Sequence, residues 1–111
     1  MDSRIPVRFG ALDDVPHGAA LLLEGDMAAP AGPSTARFEV RGQFGHPIGC
    51  ACCVPRGPVA EALSRLFLAR TRGEAPLFGQ VLVVTASSDG RAAVVDAIAG
   101  DMLTRARFRM A

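Results

Sequence analysis

The apolar and polar positions of this chain fall into short blocks that alternate between the patterns of strands and of helices. Ile5–Phe9 is short and built of β-branched and aromatic residues, which predicts a first strand. Gly10–Gly18 follows as a loop, with Asp13, Asp14 and Pro16 inside it. Ala19–Glu24, A-A-L-L-L-E, is a continuous apolar run whose length and Gly25-Asp26 stop predict a buried strand rather than a helix. Met27–Thr35 carries Pro30, Gly32 and Pro33 and reads as irregular, whereas Arg37–Arg41 alternates charged and apolar residues as a half-exposed strand does.

The clearest helix begins at Pro58, a residue pre-set for the first helical position. Val59, Leu63, Leu66 and Phe67 share one face, and Glu61 and Arg65 form an outward i,i+4 pair. Gly73 and Pro76 end it. Gln80–Thr85, Q-V-L-V-V-T, is apolar on both faces, the mark of a central parallel strand covered by helices on each side. A turn at Ser87-Ser88-Asp89-Gly90 leads to a second helix over Arg91–Thr104, with Val94, Val95, Ile98 and Met102 facing inward. Gly100 weakens that helix by about 1 kcal/mol relative to alanine. The alternation predicts a small three-layer α/β domain with a mostly parallel sheet, occupying residues 1–111 as a single unit.

Composition sharpens this picture by exclusion. The 12 basic and 11 acidic residues leave a net charge of +1, too little to make nucleic acid or anionic lipid the expected partner. No 18-residue apolar run and no leader pattern are visible, so no membrane partner is expected and the cytoplasm is the expected compartment. All 12 basic residues are arginine, and the missing lysine excludes Schiff-base chemistry and the phosphate-binding lysine of a P-loop.

Chemistry concentrates at residues 46–57, H-P-I-G-C-A-C-C-V-P-R-G, which hold all three cysteines, Cys50, Cys52 and Cys53. Adjacent Cα atoms lie only about 3.8 Å apart, too close for the ordinary span of a disulfide between Cys52 and Cys53. Thiolates are soft metal ligands, and residues one apart in extended chain point the same way, so Cys50 and Cys52 can converge on one ion. Cys53 joins them where the chain turns, which Pro47, Gly49, Pro55 and Gly57 favour. Tetrahedral zinc takes four ligands, and the fourth is His46, a side chain from elsewhere in the chain, a water or a group of a partner protein; a histidine before proline in a loop is more often a surface residue. His17 reads as a surface residue. Redox or persulfide chemistry at the same thiols, with Arg56 lowering a pKa, is the competing reading. A nonenzymatic interaction module whose sheet docks onto a full-length member of the family described next is the third.

Beyond the cysteines, Gly49-Cys50-Ala51-Cys52-Cys53-Val54-Pro55-Arg56-Gly57 followed by a helix and Phe78-Gly79-Gln80-Val81-Leu82-Val83-Val84-Thr85 resembles the central stretch of the CobW-type P-loop GTPases and metallochaperones. That family reads G-C-x-C-C-x-x-R-x-D/G-L before its helix and D-x-V-V-I-E-T-T/S-G after it. Arg4-Ile5-Pro6-Val7 resembles its opening strand, Gly25-Asp26-Met27-Ala28 the segment after its second strand, and Arg105-Ala106-Arg107-Phe108-Arg109-Met110 the stretch before a further strand. The resemblance implies a reduced P-loop-NTPase-like core and a divalent metal, zinc or cobalt, on Cys50, Cys52 and Cys53. The departures are as informative. Gly10–Gly18 stands where the family has G-x-x-x-x-G-K-T/S, the family's acidic strand end falls on Val84, and its T/S-G pair falls near Ala86-Ser87. The expectation is a metal-homeostasis or metal-delivery protein without GTP hydrolysis, not an enzyme, whose partners are the metal ion and a metal-handling protein or a second copy.

Overall fold

Two apolar runs decide the sheet. The computed structural model describes residues 3–40, 57–75 and 77–111, and in it the runs around Leu22 and Leu82 become neighbouring parallel strands. Ile5–Phe9 is β1, Ala19–Glu24 is β2, Thr35–Phe38 is β3, Gln80–Val84 is β4 and Phe108–Met110 is β5. They form one all-parallel sheet in the order β3-β2-β4-β1-β5. β2 and β4 are registered with Leu21 opposite Leu82 and Leu22 opposite Val83. Being central, they are covered on both faces, and so their sequences run apolar without alternation.

Among the described residues the α-helices are Pro58–Thr71 (α1), Ser88–Gly100 (α2) and Met102–Arg107 (α3). Val59, Leu63 and Leu66 of α1 and Val94 and Ile98 of α2 pack with Val7, Leu22, Val83 and Phe108 into the larger core. Burying a leucine or valine of this kind contributes about 1.5–3 kcal/mol. The opposite face is covered at its centre only. There Leu21, Leu23 and Leu82 lie under Leu12 and Val15, from the loop that holds a 3-10 turn at Leu12–Asp14, and under Met27 and Ala29, from the irregular stretch after β2. Among the described residues this side of β4 therefore carries irregular chain where a second helical layer was expected.

The nine residues Gly10–Gly18 explain why. They carry the chain from the carboxyl end of β1 across β4 to the start of β2, a crossover that ordinarily takes a dozen or more residues and a helix. Gly10 starts the crossing with its N–H on the Val83 carbonyl at 3.0 Å, and a Cβ there would stand 2.6 Å from Leu82 Cδ1. The chain can press this closely onto β4 because residue 10 has no side chain.

α1 begins at Pro58 and ends as the sequence predicts. Gly73, at φ 74°, donates to the Arg70 carbonyl while Glu74 donates to that of Ala69, the paired bonds of a Schellman stop. Glu61 and Arg65 are both exposed, and Arg65 reaches the Arg37 carbonyl on β3 at 3.3 Å. The expected helix over Arg91–Thr104 differs in three ways. It starts earlier, at Ser88, because Ser87 caps it by accepting from Gly90 N–H at 3.0 Å. It breaks at Asp101, whose extended backbone resets the helical phase. Met102 is consequently 81% exposed, and Val95 at 42% also faces outward, although both were expected inside. The last strand had no counterpart in the expected pattern, and β3 starts at Thr35 rather than Arg37, with Arg41 outside the described residues.

Candidate functional site at the carboxyl edge of the sheet

In open parallel sheets, ligands bind beyond the carboxyl ends of the strands, where neighbouring strands send their connections in opposite directions. That point lies here between β2 and β4. β2 continues outward to β3, whereas β4 continues through α2 and α3 to β5 on the other side of the sheet.

The side chain at this crevice is Glu24, the last residue of β2. Its Oε1 accepts from Ala86 N–H at 2.7 Å and Ser87 N–H at 3.0 Å, and its Oε2 accepts from the Ser87 hydroxyl at 2.6 Å. The same hydroxyl accepts from Gly90 N–H, so a chain of donors runs from the first turn of α2 to the carboxylate. Bonds of this kind to an ionised group are about twice as strong as neutral ones. The amino end of α2 adds the favourable end of the helix dipole. Gly90 completes the arrangement, because a Cβ there would collide with the Glu24 carboxylate. Neither Glu24 nor Gly90 stood out in the sequence, since their partners lie more than 60 residues apart.

Around this contact the edge is acidic. Glu24, Asp26, Glu39 and Val40 line one shallow hollow with Gly25 and Ala86. A second hollow, between the ends of β2 and β3 and the first turns of α1, is lined by Asp26, Glu39, Glu61, Arg37 and Arg65 among others. Arg37 is held down by the carbonyls of Gly25 at 3.1 Å and Met27 at 2.7 Å, which fixes the chain leaving β2. On the β1 side Arg91 lies over the Phe9 ring, 4.0 Å from its centroid. Among the described residues no three His, Cys, Asp or Glu side chains converge closely enough to hold a metal ion.

The candidate ligands Cys50, Cys52, Cys53 and His46 all lie outside the described residues. Their nearest described neighbours in sequence, Val40 and Gly57, both belong to this edge, Val40 in the hollow beside Glu24 and Gly57 as the residue before Pro58 of α1. His17, expected to be a surface residue, is exposed at the opposite end of the sheet, beside Pro30–Ser34 and Phe78. No helix among the described residues is long and apolar enough to cross a membrane. No protein-family model, no curated protein and no solved structure matches this chain.

Proposed function

We propose that this chain is a small metal-binding protein of CobW type that has lost nucleotide chemistry and holds a divalent ion, zinc foremost, on the thiolates of Cys50, Cys52 and Cys53. The observation that carries the reading is the C-x-C-C cluster itself, which puts every thiol of the chain within four positions, with His46 four residues upstream. Three thiolates and an imidazole form a donor set that suits zinc, and such a site takes up the ion with release of the thiol protons. A bound ion would supply no reaction here. It is cargo or a regulatory ligand.

Two features of the described residues support the reading. The ends that flank residues 41–56 lie at the carboxyl edge, where sheets of this class take their ligands, and acidic side chains at that edge favour an approaching cation over an anion. The crossing at Gly10–Gly18 holds one short 3-10 turn and contributes Asp13 and Asp14 where a phosphate-binding loop would contribute a lysine and a hydroxyl. The reading accordingly assigns no GTP hydrolysis to the chain. The test is a titration of the fully reduced protein against a chromophoric zinc chelator. The wild type is expected to withdraw zinc at micromolar concentration and Cys52→Ser to do so at least tenfold less well; equal withdrawal by the two proteins would overturn the assignment.

A further inference from the structure

Among the described residues five large apolar side chains stand exposed, and three of them, Val95 at 42%, Met102 at 81% and Leu103 at 49%, lie in α2 and α3. They are not scattered. Ala92, Val95 and Ala99 are exposed at i, i+3 and i+7 of α2, and Met102, Leu103 and Ala106 at i, i+1 and i+4 of α3, so each helix turns an apolar stripe away from the core. In α3 the usual order is inverted: Thr104 is buried, bonded to Asp101 through its N–H and its hydroxyl, while the larger apolar residues beside it face out. We propose that this face is the contact surface between two copies of the chain, packed antiparallel about a two-fold axis at the Gly100-Asp101 junction, with Asp96 of each copy against Arg105 of the other.

Charge names the occupant. Arg91 and Arg107 lie over the rings of Phe9 and Phe67 in their own chain, 4.0 and 4.3 Å from the centroids, so the outward charges are Asp89 and Asp96 on α2 and Arg105 on α3. Acid towards one end and base towards the other is a self-complementary pattern, which an antiparallel second copy satisfies twice. The apolar positions obey the same symmetry. Asp96 and Arg105, Val95 and Ala106, and Ala99 and Met102 each stand at equal sequence distances on either side of the junction, so the two-fold sets apolar against apolar and the long Met102 against the small Ala99. Gly100 lies at the centre. It is exposed, its φ is outside the left-handed region, and a Cβ there would meet nothing within 4 Å, so neither its backbone angle nor crowding inside the chain requires glycine. Close approach of a second backbone does. A net charge of +1 adds little repulsion between copies. None of the atoms involved belongs to residues 41–56, so the inference stands or falls separately from the metal reading.

The experiment is sedimentation equilibrium on the full chain under reducing conditions, with and without a chelator. In both conditions the wild type is expected to dimerise reversibly with a dissociation constant on the order of 10 µM, as suits an interface at the small end of the range. Met102→Glu, at a side chain that the fold leaves exposed, is expected to weaken the dimer about tenfold or more. Asp96→Arg and Arg105→Asp each set like charges against one another and are expected to weaken it as well, whereas the double variant restores opposite charges and is expected to recover most of the association. That recovery reads the pairing itself, and it carries the test if Met102→Glu does not fold. A wild type that stays monomeric through about 500 µM would overturn the proposal. So would a dimer that forms only without chelator, which would place the contact at the thiolates, a dimer indifferent to Met102→Glu, or charge reversals that weaken it singly and do not compensate together.

Discussion

At the scale of single residues, two glycines are fixed by what stands next to them rather than by their own backbone angles. Gly90 lies in the first turn of α2, where alanine would ordinarily stabilise by about 1 kcal/mol. An added Cβ displaces the Glu24 carboxylate, and hydrogen bonds made to a charged group of this kind contribute about 1.5–3 kcal/mol. The second effect is larger, so Gly90→Ala is expected to destabilise by about 0.5–2 kcal/mol in urea unfolding. In a Glu24→Ala background the same substitution should change sign and stabilise, and destabilisation in both backgrounds would mean that the cost does not pass through Glu24. Gly10 differs in kind, because its neighbour is the Cδ1 of Leu82 in the smaller core. Leu82 can turn away only against Leu21 and Leu23, so Gly10→Ala should cost about 1–3 kcal/mol of overpacking. An unchanged urea midpoint would show that this layer yields freely.

At the scale of elements, what the sequence makes legible is what local chemistry controls. β1, β2, α1 and β4 follow from apolar runs and from Pro58 and Gly73, whose effects act within a turn or two. The boundary between α2 and α3 escaped that reasoning, because Val94, Ile98 and Met102 keep helical spacing across it while the backbone does not. Asp101 makes the break. Its carboxylate accepts from Thr104 N–H at 3.0 Å and the Thr104 hydroxyl at 2.7 Å, which opens α3 and places the buried Thr104 against the core. Asp101→Ala is expected to lower stability by about 1 kcal/mol, as loss of an N-cap does, and to reduce the helical signal by far-ultraviolet circular dichroism. A rise in helicity, with Met102 becoming protected from oxidation, would mean that α2 and α3 merge once the cap is removed. β5 is three residues long, and its pairing of Ile5 with Phe108 joins opposite ends of the chain. No window around residue 108 contains its partner. The Glu24 contact was illegible for the same reason: a glutamate ending an apolar strand reads as a solvent stop until the residue it meets 62 positions later is known.

At the scale of the whole molecule, the sheet order gathers the ends of β2, β3 and β4 and the start of α1 on one edge, and there the chain is rich in carboxylates. The crossing from β1 to β2 is too short for a helix and closes the centre of one face with loop residues. The cysteine cluster, by contrast, is a local pattern that the sequence shows directly, although Cys50, Cys52, Cys53 and His46 lie outside the described residues. The uptake of a divalent metal ion by this cluster, as proposed, is read out by elemental analysis of the full chain purified under reducing conditions without chelator, beside a variant with Cys50, Cys52 and Cys53 all changed to serine. About one zinc or other divalent ion per wild-type chain is expected, as a single tetrahedral thiolate site holds, and almost none in the triple variant; equal metal content in the two proteins would mean that the cluster is not a metal site.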